Sequence, residues 1–322
     1  MKQILKRQLI RLNHFHKHYY DKLPKLVILL YHKVLPTMEQ NPDGTIISLK
    51  TFDKQIKYLA KKYSIISLTD AISQCDLGKA KSKIQVVITF DDGTKNNYQY
   101  VFPLLKSMGI QATFFLPVDY IGSQEIIWDW KLVKTINSIK KNFELVNDES
   151  NINLKRRNYR NQRIFIREVI SQLKRVPPNK RKILIDSIYN KIGEHPYLFN
   201  FDKCMNWNEI RDMQYNGMDI GSHGCSHSSL GQIPFNDAIN EIVLSKKIIE
   251  KEIGVPCFHF SFPYGANEDI NYQLIKCVKK SGYKGCLLNI HGYNHIEQST
   301  LAFKRVIVYE HTNLKYLLSS YV

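Results

Sequence analysis

Two acidic residues and two histidines carry the chemistry this sequence can offer. Asp91-Asp92-Gly93 closes the apolar run Val86-Val87-Ile88-Thr89-Phe90. A run of β-formers ending in carboxylates is how a strand delivers chemistry to the rim of an α/β sheet or barrel. Side chains alternate along an extended segment, so adjacent acids take different jobs unless the backbone turns, and Gly93 permits such a turn. Alone, Asp-Asp-Gly is an ordinary polar turn. His223-Gly224-Cys225-Ser226-His227 raises its weight, because it follows a second short apolar segment, Met218 to Ser222. Two imidazoles spaced i, i+4 converge on one point when the backbone between them is helical or tightly turned. With one of the two carboxylates they make a two-His, one-Asp set, suited to zinc or another divalent ion with a position open for water. Cys225 lies between the histidines, and its side chain is expected to point away from them.

Positioning such a set requires strands whose ends share one face. Leu26 to His32 reads as a buried strand ending in a histidine, and a strand-end His32 is a candidate proton donor. Helical spacing covers Leu49 to Tyr63, Ile65 to Leu68 suggests a short strand, and Thr69 is a candidate helix cap. Tyr98 to Met108 is helical in pattern and closes at Gly109, and Ala112 to Val118 is the next strand. This alternation points to parallel βα units. From Trp128 to about Lys203 the rhythm breaks into three helical, Lys- and Arg-rich segments (131–143, 160–174, 179–192) separated by an Asn-rich stretch and by Pro177-Pro178. This is a helical insertion, 128–203, whose basic faces either hold a substrate's phosphate or are simply solvated. The pattern resumes with a helix at 208–216, the strand leading to His223, and a helix at 236–253 with Ile239, Ile242, Val243, Ile249 and Ile253 inward. A strand at 257–262 then runs into the tight turn Pro263-Tyr264-Gly265, whose amides could face the active rim. A helix at 270–281, strands at 283–288 and 302–309 and a short final helix complete the chain.

Composition limits the rest. The 322 residues are 43% hydrophobic, enough for a full core in one large domain with an insertion. Lys+Arg 46 against Asp+Glu 29 gives a formal charge of +17, which favours anionic partners or a solvated lysine-rich surface. The six cysteines form no CxxC pair and read as reduced structural thiols. The segment 1–25 is basic, with Ile and Leu interspersed among Lys and Arg, and forms either an amphipathic helix on an anionic leaflet or an ordinary packed helix. It lacks an apolar stretch of signal-peptide length, and no run reaches the roughly 20 apolar residues of a membrane span. A cytoplasmic protein, or one peripheral at the inner face of the membrane, is expected.

Thr-Phe-Asp-Asp-Gly at 89–93, Ser-His-x-x-x-His at 222–227 and Phe-x-x-Pro-Tyr-Gly at 260–265 resemble, in order, the first three motifs of the polysaccharide deacetylases, the NodB-homology domain of carbohydrate esterase family 4. The resemblance covers roughly 26–310 apart from the insertion, and places the NodB-homology barrel at 26–322. It implies a distorted, incomplete (β/α)7-type barrel that binds one divalent metal, Zn2+ or else Co2+, Ni2+ or Mn2+, through Asp92, His223 and His227. Asp91 matches the catalytic base, and Pro263 and Tyr264 match the turn that holds substrate and oxyanion. Two departures stand out. The usual late Leu-x-His acid motif has no convincing copy, and Leu29-Leu30-Tyr31-His32 resembles instead the poly-N-acetylglucosamine deacetylase subset, with the acid motif moved to the front and His32 as the acid. Ser261 stands where many members carry an arginine that orients the base, and Arg305 is the substitute to consider. Trp128, Asp129 and Trp130 either shape the acyl pocket or pack a hinge. The expected function is metal-dependent removal of an N-acetyl or other N-acyl group from an amino sugar, in surface polysaccharide or lipopolysaccharide biosynthesis. The substrate would be an N-acetylated sugar or oligosaccharide, free or lipid- or nucleotide-linked. The alternatives are an inactive deacetylase-like glycan-binding barrel and a basic scaffold that binds membrane or nucleic acid. Nucleic acid is not expected as the partner.

Overall fold

The computed structural model describes residues 25–37, 44–77, 84–138, 144–147, 152–155, 162–192, 202–295 and 301–321. The basic segment expected as a helix at 1–25 lies almost wholly outside them. Seven strands, β1 (Lys25–Tyr31), β2 (Ile84–Phe90), β3 (Thr113–Leu116), β4 (Asp219–Ser222), β5 (His259–Ser261), β6 (Gly285–His291) and β7 (Ala302–Ile307), pair in this order. Every one of these pairings is parallel, and β7 returns to β1 with Leu29 opposite Val306, so the ring closes. This is a seven-stranded barrel, one strand short of the eight-stranded form.

β1 and β2 are buried along their whole length, Lys25 included. They face barrel interior on one side and helices on the other, which is why their sequences run continuously apolar instead of alternating. Alternation survives as a division of the core. Leu26 and Ile28, Val87, Phe115, Leu287 and Phe303 form a cluster of their own, and by strand parity they point into the barrel. Helix α1 (Leu49–Lys62) lies outside. Helix α2 (Leu68–Leu77) adds Leu68, Ala71, Ile72 and Cys75 to the interior cluster and plugs the N-terminal end. Gly221 shares the inward parity, and a Cβ there would meet the Phe115 ring at 2.4 Å. Continuing the same parity to the other end brings His32, Asp91, His223, Ser261 and Arg305 inward together.

Several local expectations shift. Ser67, not Thr69, caps α2: its Oγ accepts from Asp70 N at 3.0 Å, while the Thr69 hydroxyl bonds His259 Nε2. The helix expected at 98–108 begins as a π-turn, Asn97–Val101, and continues as α3 (Phe102–Ser107). Between β3 and β4 run α4 (Trp128–Ser138), α5 (Gln162–Leu173) and α6 (Pro178–Ile192), and the insertion expected to be helical also holds an antiparallel hairpin, Glu144–Asn147 and Ile152–Lys155, in its Asn-rich stretch. Helix α7 (Trp207–Tyr215) starts on a capping box between Asn206 and Glu209. In α8 (Phe235–Ile253) the buried face is Ala238, Glu241, Ile242, Ser245 and Ile249, and Ile239 and Val243 are only half-buried. An acid, Glu241, takes an inward place, where it accepts from backbone amides of the loop after β4. Helix α9 (Tyr272–Lys280) precedes β6.

The segment from α4 to Asp202 is tied to the barrel by charge. Lys33 Nζ lies 2.9 Å from Asp202 Oδ1 and 3.4 Å above the Trp130 ring, and Lys134 also reaches Asp202. Lys33 and Asp202 are both buried. Lys33→Met leaves Asp202 with Lys134 as partner and removes the cation from Trp130, so we expect a loss of ~2 kcal/mol, below the usual cost of breaking a buried pair. Urea unfolding of the variant checks it, and an unchanged midpoint would mean that this tie is not holding the segment.

Candidate active site

Asp91 and Asp92 leave β2 in different directions because the chain turns between them. Asp92 has φ +74°, and among the described residues only His227 (+52°) and Tyr264 (+63°) are other non-glycine residues with positive φ. All three belong to the suspected site, where backbone strain collects when the surroundings hold it in place. Gly265 follows with φ +63°, and a Cβ there would lie 2.7 Å from Asn289 N, so the turn after β5 closes against β6.

His223 Nδ1 sits 2.7 Å from the Ser261 carbonyl. A carbonyl can only accept, so Nδ1 carries the proton and Nε2 offers its lone pair. Burial pushes the imidazole down to about 4, so it is neutral at pH 7. His227 Nε2 is 3.3 Å and His223 Nε2 3.8 Å from Asp92 Oδ1. One donor atom from each of Asp92, His223 and His227 lies within 4.8 Å of the others. The buried two-imidazole, one-carboxylate set with a fixed His223 tautomer fits a divalent ion. Around it, Trp130 Nε1 donates to Asp92 Oδ2 at 3.3 Å, Trp128 Nε1 donates to the His227 carbonyl at 2.8 Å, and Asp129 Oδ2 lies 3.6 Å from His227 Nδ1 and accepts from the Tyr264 hydroxyl. Thus all three residues of the Trp-Asp-Trp run bond to residues of the site, Trp128 through the His227 backbone, and Asp129 and Trp130 also line its cavity.

Asp91 is held separately. Arg305 Nη1 donates to Asp91 Oδ1 and Nη2 to Oδ2, both at 2.8 Å, while Arg305 Nε reaches the Leu288 carbonyl and Ser261 Oγ donates to Asp91 Oδ2 at 3.2 Å. Between Leu287 and His291 the register against β7 shifts by an irregularity, and Leu288 lies in it. Burial pushes the Asp91 carboxyl up, and the Arg305 guanidinium, with His223 beside it, outweighs that and holds it below the usual carboxylate range.

His32 follows β1 and lines the same cavity of about 290 Å³ as Asp91, Asp92, His223, His227 and Tyr264. Its carbonyl accepts from Asn97 Nδ2, and among the described residues its buried Nδ1 has no hydrogen-bond partner. Pro263 is buried beneath, its carbonyl accepting from Gly265 N, and does not line the cavity. Cys225 Sγ turns to the Glu241 carbonyl, away from the imidazoles. Glu241 itself, from α8, accepts from Cys225 N at 2.6 Å and Ser226 N at 3.0 Å, fixing the loop between the two histidines. Its helical position gave no sign of that role, since an acid on an amphipathic helix ordinarily faces water.

The family model for polysaccharide deacetylase matches residues 78–143 and 187–286, just over half of the chain. The chain belongs to the polysaccharide deacetylase family. Across 103 residues it is 33% identical to YxkH of Bacillus subtilis (strain 168), which is named as a polysaccharide deacetylase. That match takes in 32% of this chain and spans only 35% of the relative's length. Among solved structures, the Streptococcus pyogenes deacetylase PplD in complex with acetate superposes with a TM-score of 0.60 at 15% identity, covering 93% of this chain and 99% of that one. IcaB from Ammonifex degensii does so with a TM-score of 0.60 at 16% identity, covering 92% and 97%. At these identities the likeness is one of fold. In this polysaccharide deacetylase the family match skips 144–186, the stretch that contains α5 and the first part of α6.

Proposed function

We propose that this polysaccharide deacetylase is a metal-dependent hydrolase that removes an N-acetyl group from an amino sugar of a polysaccharide or its precursor. The observation that carries the reading is an ionised, arginine-clamped Asp91 beside the Asp92, His223, His227 cluster in one cavity. Its volume, about 290 Å³, is at the small end for ligand sites and suits one sugar unit. Asp92, His223 and His227 would hold a divalent ion, which would supply Lewis acidity to the acyl carbonyl and the attacking water. Zinc suits this donor set, as do cobalt, nickel and manganese.

Asp91 takes the proton of the attacking water. Arg305 and Ser261 keep its carboxylate ionised and aimed for that transfer. The backbone N–H at Tyr264, on a turn held by Gly265 and Asn289, supports the developing oxyanion. His32 returns a proton to the departing amine, which must leave protonated. Trp130 and the apolar residues beside it enclose the acyl group and exclude water.

The broader setting we propose is surface-glycan biosynthesis, lipopolysaccharide included, on a free, lipid-linked or nucleotide-linked precursor. Its basis is the formal charge of +17 and the basic N-terminal segment, which suit anionic partners at the inner face of a membrane. Among the described residues no helix is long and apolar enough to cross one.

The test is acetate release from a panel of N-acetylated oligosaccharides by metal-loaded protein and by Asp91→Asn. We expect release by the wild type and a loss of ~10²–10⁴-fold in the variant, the usual contribution of a positioned base. Equal rates in the two proteins would remove Asp91 from the mechanism. Silence of the wild type on substrates that it binds would favour a glycan-binding barrel.

A further inference from the structure

We propose that the substrate carries an anionic group, a phosphate or a carboxylate, which Arg167 recognises from the wall of the cavity. The inference rests on the deacetylase reading of that cavity and names the class of glycan it takes.

Helix α5 forms one side of the cavity. Phe165, Val169 and Leu173 anchor it, each 0% exposed, while Ile166, Arg167, Ile170 and, just past its end, Lys174 face the cavity. The anchored face fixes what the other face presents. Ile166 and Ile170 offer apolar surface to a sugar ring, and the two cations flank it. Lys174 is already engaged: its Nζ lies 3.2 Å from the fully buried Asp269 Oδ1 and 3.8 Å from the Tyr264 ring centroid.

Arg167 is different. It is exposed at the cavity wall, and among the described residues it has no hydrogen bond, ion pair or ring contact. No lining carboxylate is left for it. Asp91 is clamped by Arg305, Asp92 belongs to the histidine cluster, and Asp129 accepts from Tyr264. An unmatched guanidinium beside a substrate site has its planar fork of donors available for a bidentate oxyanion, and phosphate and carboxylate both fit it. The product amine, which becomes an ammonium, does not. Arg167 therefore addresses a neighbouring group of the glycan, not the reacting nitrogen. Because α5 lies outside the residues matched by the family model, this recognition belongs to the insertion of this chain.

The experiment uses three N-acetylated oligosaccharides of equal length: one neutral, one bearing a uronate, one bearing a phosphate. Affinities are measured calorimetrically on metal-loaded Asp91→Asn, with and without Arg167→Gln or Arg167→Glu, and acetate release is measured with Asp91 intact. We expect one charged ligand to bind roughly 10-fold or more tightly than the neutral one, the worth of a charge-assisted hydrogen bond. Arg167→Gln should erase that difference and Arg167→Glu reverse it, and the preferred arm tells phosphate from carboxylate. Arg167 is exposed, so neither change threatens folding. Equal affinities for charged and neutral ligands, or a preference that survives Arg167→Gln, overturn the inference. Acetate release that is indifferent to charge leaves the deacetylase reading and removes the anion site. Charge-selective binding without acetate release from any arm does the reverse. Failure of all three ligands to bind overturns both.

Discussion

Arg305→Met is expected to lower acetate release at least ~100-fold and to cost ~3–5 kcal/mol of stability, because it strips the partner from a buried carboxylate. Asp91 is 3% exposed and Arg305 1%. The bidentate contact between them spans 214 positions of sequence. Without the guanidinium, burial is the dominant influence on Asp91, its protonated form is favoured, and a protonated acid cannot serve as base. Arg305→Lys separates charge from geometry: it keeps a cation but loses the fork, so a loss of roughly 10-fold fits one charge-assisted hydrogen bond of ~1.5 kcal/mol. The sign of the pH effect follows from the same contact. Arg305 holds the Asp91 carboxyl low, so weakening it raises that carboxyl, and the acidic limb of the rate profile moves to higher pH in Arg305→Lys. The double variant Arg305→Met/Asp91→Asn should regain part of the lost stability, since no buried charge is left alone, and none of the activity. Turnover by Arg305→Met within twofold of wild type would remove Arg305 from the machinery.

The ends of strands were the legible part of this chain. Asp91 and Asp92 close a continuous apolar run, which a barrel strand buried on both faces writes into local sequence, while His223 ends the shorter segment Met218 to Ser222, interrupted by Asp219. His32 was legible for the same reason. The partner of Asp91 was much less so. Arg305 stands mid-strand on β7, and only ring closure, with the shift in register near Leu288, turns it onto the carboxylate that follows β2. The roles of Asp129 and Trp130 are not written in local sequence, because which way α4 faces depends on Lys33 and Asp202, distant in sequence. Glu241 and Arg167 gave no local signal. An acid on one helix and an arginine on another look solvated until packing shows what each faces. Ser67 in place of Thr69 as a cap is a smaller miss of another kind, since both residue types suit the position and tertiary contact with His259 claims Thr69.

Asp92→Ala is expected to abolish metal binding outright, while Asp91→Asn retains it. That contrast separates a ligand from its neighbouring base in a way that activity alone does not, since both variants are inactive. Wild-type protein should take up one divalent ion per chain, and an ion that binds only the folded state adds ~4 kcal/mol at a thousandfold excess over Kd. For a chain of 322 residues that is about 6 °C in Tm. The rise should vanish in Asp92→Ala and shrink strongly in His223→Ala and His227→Ala. A spectroscopic signal comes with it. Of three tryptophans, two touch the cluster, Trp130 through Asp92 Oδ2 and Trp128 through the His227 carbonyl. Filling the site should therefore change indole emission in wild type and in Asp91→Asn, and leave it unchanged in Asp92→Ala. Titration with zinc, cobalt, nickel and manganese in turn ranks the ions by the same readout. Uptake of metal by Asp92→Ala with wild-type affinity would mean that another carboxylate completes the site, and Asp129, 3.6 Å from His227, is the next residue to replace.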